Sequence, residues 1–177
     1  MTQAPRKFSQ DAVHLVRTAT QTNLTLSQMA DQKASILMGA TFVVFTLAIG
    51  QMRSGSVPLA LLVLAAFAFA SAMSAVAAIL PSVSAKGDAK VQPNLLFFGT
   101  FTQWDEDEFA DRVIAELGDD ERIYRAMLRD IHQSGMVLQH KKYRLLRLAY
   151  LLFLAGLIVT FAIFLFESRA LFGAVRF

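Results

Sequence analysis

Three arginines in the central polar stretch, Arg122, Arg125 and Arg129, stand at i, i+3 and i+7, so on a helix they share one face. A guanidinium is a planar fork that grips phosphate through two parallel hydrogen bonds. Close by in sequence lies the densest aromatic run of the chain, Asn94-Leu95-Leu96-Phe97-Phe98-Gly99-Thr100-Phe101 with Trp104 behind it, and such rings offer flat surfaces on which a base could stack. Anion recognition, with a nucleotide phosphate as the anion, is therefore the chemistry these residues could perform. A competing reading needs no ligand: the arginines pair with Asp119, Glu121 and Asp130 on a solvated surface. Both stand on the residues alone.

Other chemistry finds no constellation. His14, His132 and His140 are too scattered for a helical zinc pair, whose ligands sit one turn apart, and no HExxH motif is present. Consecutive carboxylates, as in Asp105 to Glu108, point in different directions on a helix, and acidic residues at a helix start are explained by the helix dipole. There is no GxxxxGK phosphate loop, no GxSxG elbow and no cysteine, which excludes thiolate metal sites and thiol nucleophiles. The expectation is a chain without catalytic residues, metal or cofactor.

The elements that must position the arginine face are set by hydropathy. Hydrophobic residues make up 55% of the chain and charged residues 18%, against roughly a quarter charged in soluble domains. The excess is concentrated in uncharged runs at 36–52, 57–80 and 148–166, each within or near the roughly 17 to 25 residues that cross a bilayer. The expected fold class is an all-α integral membrane protein with three transmembrane helices. A polar helix at 1–35 precedes the first span, a helical module at 81–147 separates the second from the third, and 167–177 forms a tail. Positive charge assigns the sides: basic residues are dense from Lys86 to Arg147 and present ahead of span one, while the first turn holds only Arg53 and the tail only Arg169 and Arg176. The N-terminus and the module are then cytosolic and the C-terminus is outside. Neither span one nor span three contains an ionisable residue, which argues against a proton relay, voltage sensor or transporter midplane site.

Ser9 is a candidate N-cap for the first helix, which meets no Gly or Pro before Gly39 and so runs straight into span one. Ala12, Leu15, Ala19, Thr22, Leu26, Met29 and Lys33 recur at steps of three and four and read as its packed seam. Span two is crowded with small residues; Ala68 with Ala72 and Ser71 with Ala75 let backbones approach closely, making it the central packing helix. In the module, acidic residues from Asp105 begin one helix that Gly118 ends, and a second starts near Asp119 and runs on into span three, with Gly135 a point of bending. Lys141, Lys142, Arg144 and Arg147 then lie at the membrane edge, where anionic headgroups are the default partner.

Separated blocks carry a family resemblance. The string Asn23-Leu24-Thr25-Leu26-Ser27-Gln28-Met29-Ala30-Asp31-Gln32-Lys33-Ala34 running into a span, the patch from Asn94 to Phe101, and Asp130 followed by Lys142-Tyr143 and Leu145-Leu146-Arg147 resemble, in this order, the Pycsar effector transmembrane family. The resemblance implies an antiphage role in the bacterial inner membrane. A partner pyrimidine nucleotide cyclase makes cyclic UMP or cyclic CMP on infection, and the membrane effector then impairs the membrane and stops growth; the small-residue face of span two adds the expectation of a homo-oligomer. The resemblance implies no enzymatic activity and no nucleic-acid partner. It adds Asn94 and Lys33, from the matching blocks, as secondary ligand candidates beside Arg122, Arg125 and Arg129. The alternative is a non-enzymatic membrane scaffold that docks a soluble partner protein through the aromatic patch.

Overall fold

A computed structural model describes residues 7–52, 57–80 and 94–174, the side chains of Phe98, Gly99 and residues 170–174 excepted. The expected Arg53-Ser54-Gly55-Ser56 turn, the loop from Pro81 to Pro93 and the last residues of the tail lie outside the described residues. Those described are helical, with no strand among them: α1 (Ala12–Met52), α2 (Leu59–Ile79), α3 (Phe98–Phe101), α4 (Glu106–Leu117), α5 (Asp120–Val137), a π turn (Leu138–Tyr143) and α6 (Arg144–Ala174). The chain forms two compact units, one of residues 1–27 and 81–138 and the other of 28–80 and 139–177.

The second unit holds the apolar spans. Three helical stretches, Ala12–Met52, Leu59–Ile79 and Asp120–Arg169, are long and apolar enough to cross a membrane, and the protein is a membrane protein on that ground. Their surfaces suit hydrocarbon: Phe42, Leu47, Ile158, Phe161 and Phe166 are each more than 60% exposed. Inside the unit α2 packs along α6. Ala60, Ala65, Ala68, Ser71, Ala75 and Ala78 form the buried face of α2, so the small-residue helix is a packing helix as its composition predicts. Ser71 donates to the carbonyl of Ala149 at 2.7 Å, with Ser71, Ala68, Ala75 and Ala149 fully buried. At Gly156 the two backbones come so close that a Cβ would lie 2.5 Å from the Cβ of Phe67. Several span hydroxyls are satisfied by their own helix, Thr41 on Leu37 and Met38 and Thr46 on Phe42, whereas the buried Thr160 hydroxyl has no partner among the described residues.

The seam of α1 differs from the expected one. Leu15, Thr22, Leu26, Met29 and Lys33 are exposed, whereas Val16, Ala30, Ala34, Leu37, Thr41 and Ala48 are buried. Ala12 and Ala19 are shared by both registers, after which the buried line passes through Asn23 and Ser27 instead of Thr22 and Leu26. The packed line carries a residue that engages another helix, Asn23 donating to the Ile131 carbonyl, while the bulkier Leu and Met of the other line remain outside.

The first unit is built by capped helices. Ser9 makes a turn just ahead of α1, its Oγ accepting from the Asp11 N–H and its carbonyl from Ala12. Asp105 caps α4 by accepting from the Glu108 N–H at 2.8 Å, and Asp119 caps α5 by accepting from that of Glu121 at 3.2 Å. Gly118 ends α4 with ordinary right-handed φ, so its role is to stop the helix rather than to supply positive φ. α5 runs unbroken through Gly135, and a π turn follows it after Val137.

Candidate functional site

The arginine face is carried by α5, which packs against α4 in the first unit. Arg125 is exposed and donates from both Nε and Nη2 to Oε1 of Glu121 one turn earlier. Arg122, also exposed, reaches the carbonyl of Ala115 at 3.4 Å. Arg129 is half-buried and partnered within the protein. Part of the competing pairing is therefore realised, by Glu121, while Asp130 has a different partner. Asn94, only 3% exposed, donates its amide to Oδ1 of Asp130 at 3.0 Å and accepts the Leu96 N–H at 3.0 Å. It closes the turn that starts α3 and ties it to α5 beside Arg129. Lys33 lies on α1 in the other unit, exposed, with no hydrogen bond or ion pair among the described residues.

Two aromatic residues of the expected stacking patch are already engaged by α4. Phe101 packs on Phe109 with ring centroids 5.2 Å apart, and the Arg112 guanidinium lies 4.6 Å over the ring of Trp104 while binding Glu108. Phe8 meets Tyr124 of α5 at 4.7 Å, bringing the start of the chain onto the arginine helix. Trp104 with Arg112 shows that the unit already offers a ring face to a guanidinium, an arrangement that excludes water from one side of each. Among the described residues no group of His, Asp and Glu is placed to hold a metal ion.

The blocks singled out in the sequence turn out to be joined in pairs. Asn23 of α1 donates to the carbonyl of Ile131 at 3.0 Å inside the first unit. Asp31 of α1 receives Lys142 from the π turn on both carboxylate oxygens, at 2.8 and 2.7 Å, inside the second. Lys141 donates to the carbonyl of Leu80 at 2.8 Å, so it satisfies one of the open carbonyls at the C-terminal end of α2. Two of the four basic residues at the expected membrane edge thus bind within the protein. Sequence reading missed these pairs, although depth gives a signal. Spans one and three run in the same direction, and Asp31 and Lys142 precede them by five and six residues, about 8 and 9 Å of helix, which places opposite charges level.

A comparison with curated proteins and one with solved structures found no match. A scan against protein families matched residues 14–167 to the Pycsar effector protein domain. That stretch takes in the apolar runs at 36–52, 57–80 and 148–166, most of both units, the arginine helix and the pairs Asn23–Ile131, Asp31–Lys142 and Lys141–Leu80. With most of its length inside the match, the chain belongs to the Pycsar effector family.

Proposed function

We propose that this chain is the membrane effector of an antiphage system in which a pyrimidine nucleotide cyclase makes cyclic UMP or cyclic CMP on infection, and that the nucleotide drives the effector to impair the inner membrane. The observation that carries this reading is the extent of the family match, which joins the apolar spans and the helical unit in one domain. Two continuous helical stretches, Ala12–Met52 and Asp120–Arg169, belong in part to each unit, so a ligand on the helical unit acts on the same helices that form spans. Such a ligand changes the spans only by binding one arrangement better than another. The active form is a homo-oligomer, and the work is done without catalysis.

The phosphate is placed on Arg122, Arg125 and Arg129. The bond of Arg125 to Glu121 does not stand in the way: an exposed i,i+4 pair is worth about 0.3–0.5 kcal/mol, whereas a charge-assisted bond to phosphate contributes about 1.5–3 kcal/mol. Asn94 serves this site by fixing Asp130 next to Arg129, and Lys33 is a secondary candidate that rests on the family block alone. Titration of cyclic UMP and cyclic CMP into purified protein tests the assignment. Arg125→Ala is expected to weaken binding by about one to two orders of magnitude, and Lys is a poor substitute because it lacks the planar fork. Wild-type affinity in Arg122→Ala, Arg125→Ala and Arg129→Ala alike returns these residues to the solvated surface.

A scaffold that docks a soluble partner is the second reading, favoured by Ile114, Leu117 and Leu128, each more than half exposed on α4 and α5. Membrane potential followed in cells supplied with each nucleotide separates the two, since a scaffold leaves it unchanged.

A further inference from the structure

The chain passes between its two units three times, at 27/28, 80/81 and 138/139. Asp31, Leu80 and the Lys141-Lys142 pair each stand at or within a turn of helix of one of these crossings, and all four belong to the unit that holds the spans. There Lys142 binds both oxygens of Asp31, with 20% and 39% of the two side chains exposed, and Lys141 binds the Leu80 carbonyl. One short segment of the last helix thereby grips the other two.

That segment is the π turn, Leu138–Tyr143. Its i→i+5 pattern takes one residue more per hydrogen-bonded turn than an α-helix, and such turns occur mostly as isolated insertions at functional places. Relaxing it to α-helical register would rotate the helix on its N-terminal side against the helix on its C-terminal side by about one residue, roughly 100° and 1.5 Å. Beyond the turn α6 is fixed on α2 through Ser71, Ala149 and Gly156. Adjacent lysines on an α-helix point about 100° apart, so a rotation of that size carries at least one of them off its partner. At least one of the two lysine bonds is therefore incompatible with the relaxed register, so holding both favours the π turn.

We propose that Asp31, Lys142, Lys141 and the Leu80 carbonyl form a latch that holds the π turn and with it the resting arrangement of the three spans, and that its release is the step that makes the effector active at the membrane. This rests on the reading of the chain as a membrane-impairing effector and not on which nucleotide triggers it. The ligand's task in this scheme is to favour the relaxed register; the latch sets how much preference that requires.

The test omits the nucleotide. The full chain is expressed in cells lacking any cyclase, at matched amounts of membrane-inserted protein, and membrane potential is recorded. Asp31→Asn and Lys142→Met, which remove the ion pair while preserving shape or stem, are each expected to raise the depolarised fraction up to about fivefold over wild type, the bias such a partly exposed pair gives a two-state equilibrium. The charge-swapped double variant, Asp31→Lys with Lys142→Asp, is expected to return the fraction towards wild type. Single variants that leave the potential as in wild type, or a swapped variant as depolarised as the singles, overturn the latch. If Asp31→Asn does not accumulate in the membrane, Lys141→Met decides between the same two outcomes. A wild-type chain that ignores both cyclic nucleotides would sink the ligand assignment and leave these outcomes readable.

Discussion

At the scale of single residues the polar tethers decide what the helical unit is. Asn94 is almost fully buried and uses both ends of its amide, the nitrogen on Asp130 and the oxygen on the Leu96 N–H. Exchanging it for aspartate keeps the acceptor but loses the donor and sets two carboxylates face to face. Asn94→Asp is expected to destabilise the unit by about 2 kcal/mol or more, and adding Asp130→Asn restores a donor between the same two positions and recovers most of the loss. Thermal unfolding of the two variants in detergent checks this; no recovery in the double variant would mean that the amide nitrogen is not what matters. These tethers join positions separated by 36 residues for Asn94 and Asp130, 108 for Asn23 and Ile131, and 111 for Asp31 and Lys142. No local pattern reports such a pair, because periodicity describes one helix at a time. The arginine face was legible for the opposite reason: its spacing and its Glu121 partner both lie within one helix.

Among elements, the helices and their ends were legible because caps and hydropathy are local. Asp105 and Asp119 accept from the N–H groups that an N-cap should, and the uncharged runs are helical. The buried register of α1 was not legible, since the chain offers two lines at helical spacing and the less hydrophobic one, through Asn23, Ser27, Ala30 and Ala34, is the packed one. Both lines lie ahead of span one, and hydrophobicity does not choose between them because the packed line is fixed by distant partners, Asn23 donating to the Ile131 carbonyl. The α2–α6 contact turns on close approach at Gly156, which sits in a run otherwise resembling ordinary lipid-facing sequence. A methyl group there would meet Phe67 at its Cβ, an atom that no rotamer moves away. Gly156→Ala is therefore expected to destabilise the pair by about 1–3 kcal/mol in spite of its better helix propensity, as overpacking does. Unfolding in detergent measures it, and a melting temperature equal to or above wild type would place the two helices further apart than described.

For the whole molecule the open matter is which side of the bilayer the helical unit occupies, and charge gives a definite expectation. Three crossings, which the apolar stretches allow by length and composition, are expected to put the two ends of the chain on opposite sides. Basic residues are concentrated between Lys86 and Arg147, with Arg53 alone between spans one and two, and positively charged segments stay in the cytosol. Two of those residues, Lys141 and Lys142, bind within the protein, yet orientation is set while the chain is inserted, before these bonds form, so they count towards the bias. A cytosolic helical unit is also the one a nucleotide made inside the cell can reach. Fusing a compartment-sensitive reporter tests the arrangement: one after Gly55 or at Phe177 is expected to be active only on the periplasmic side, and one inserted near Gly87 only in the cytosol. A cytosolic signal at Phe177 beside a cytosolic signal at Gly87 would mean that the last apolar helix does not cross. A full inversion of all three signals would instead keep the spans and remove the route by which a cytosolic cyclic nucleotide reaches Arg122, Arg125 and Arg129, and the ligand assignment would fall with it.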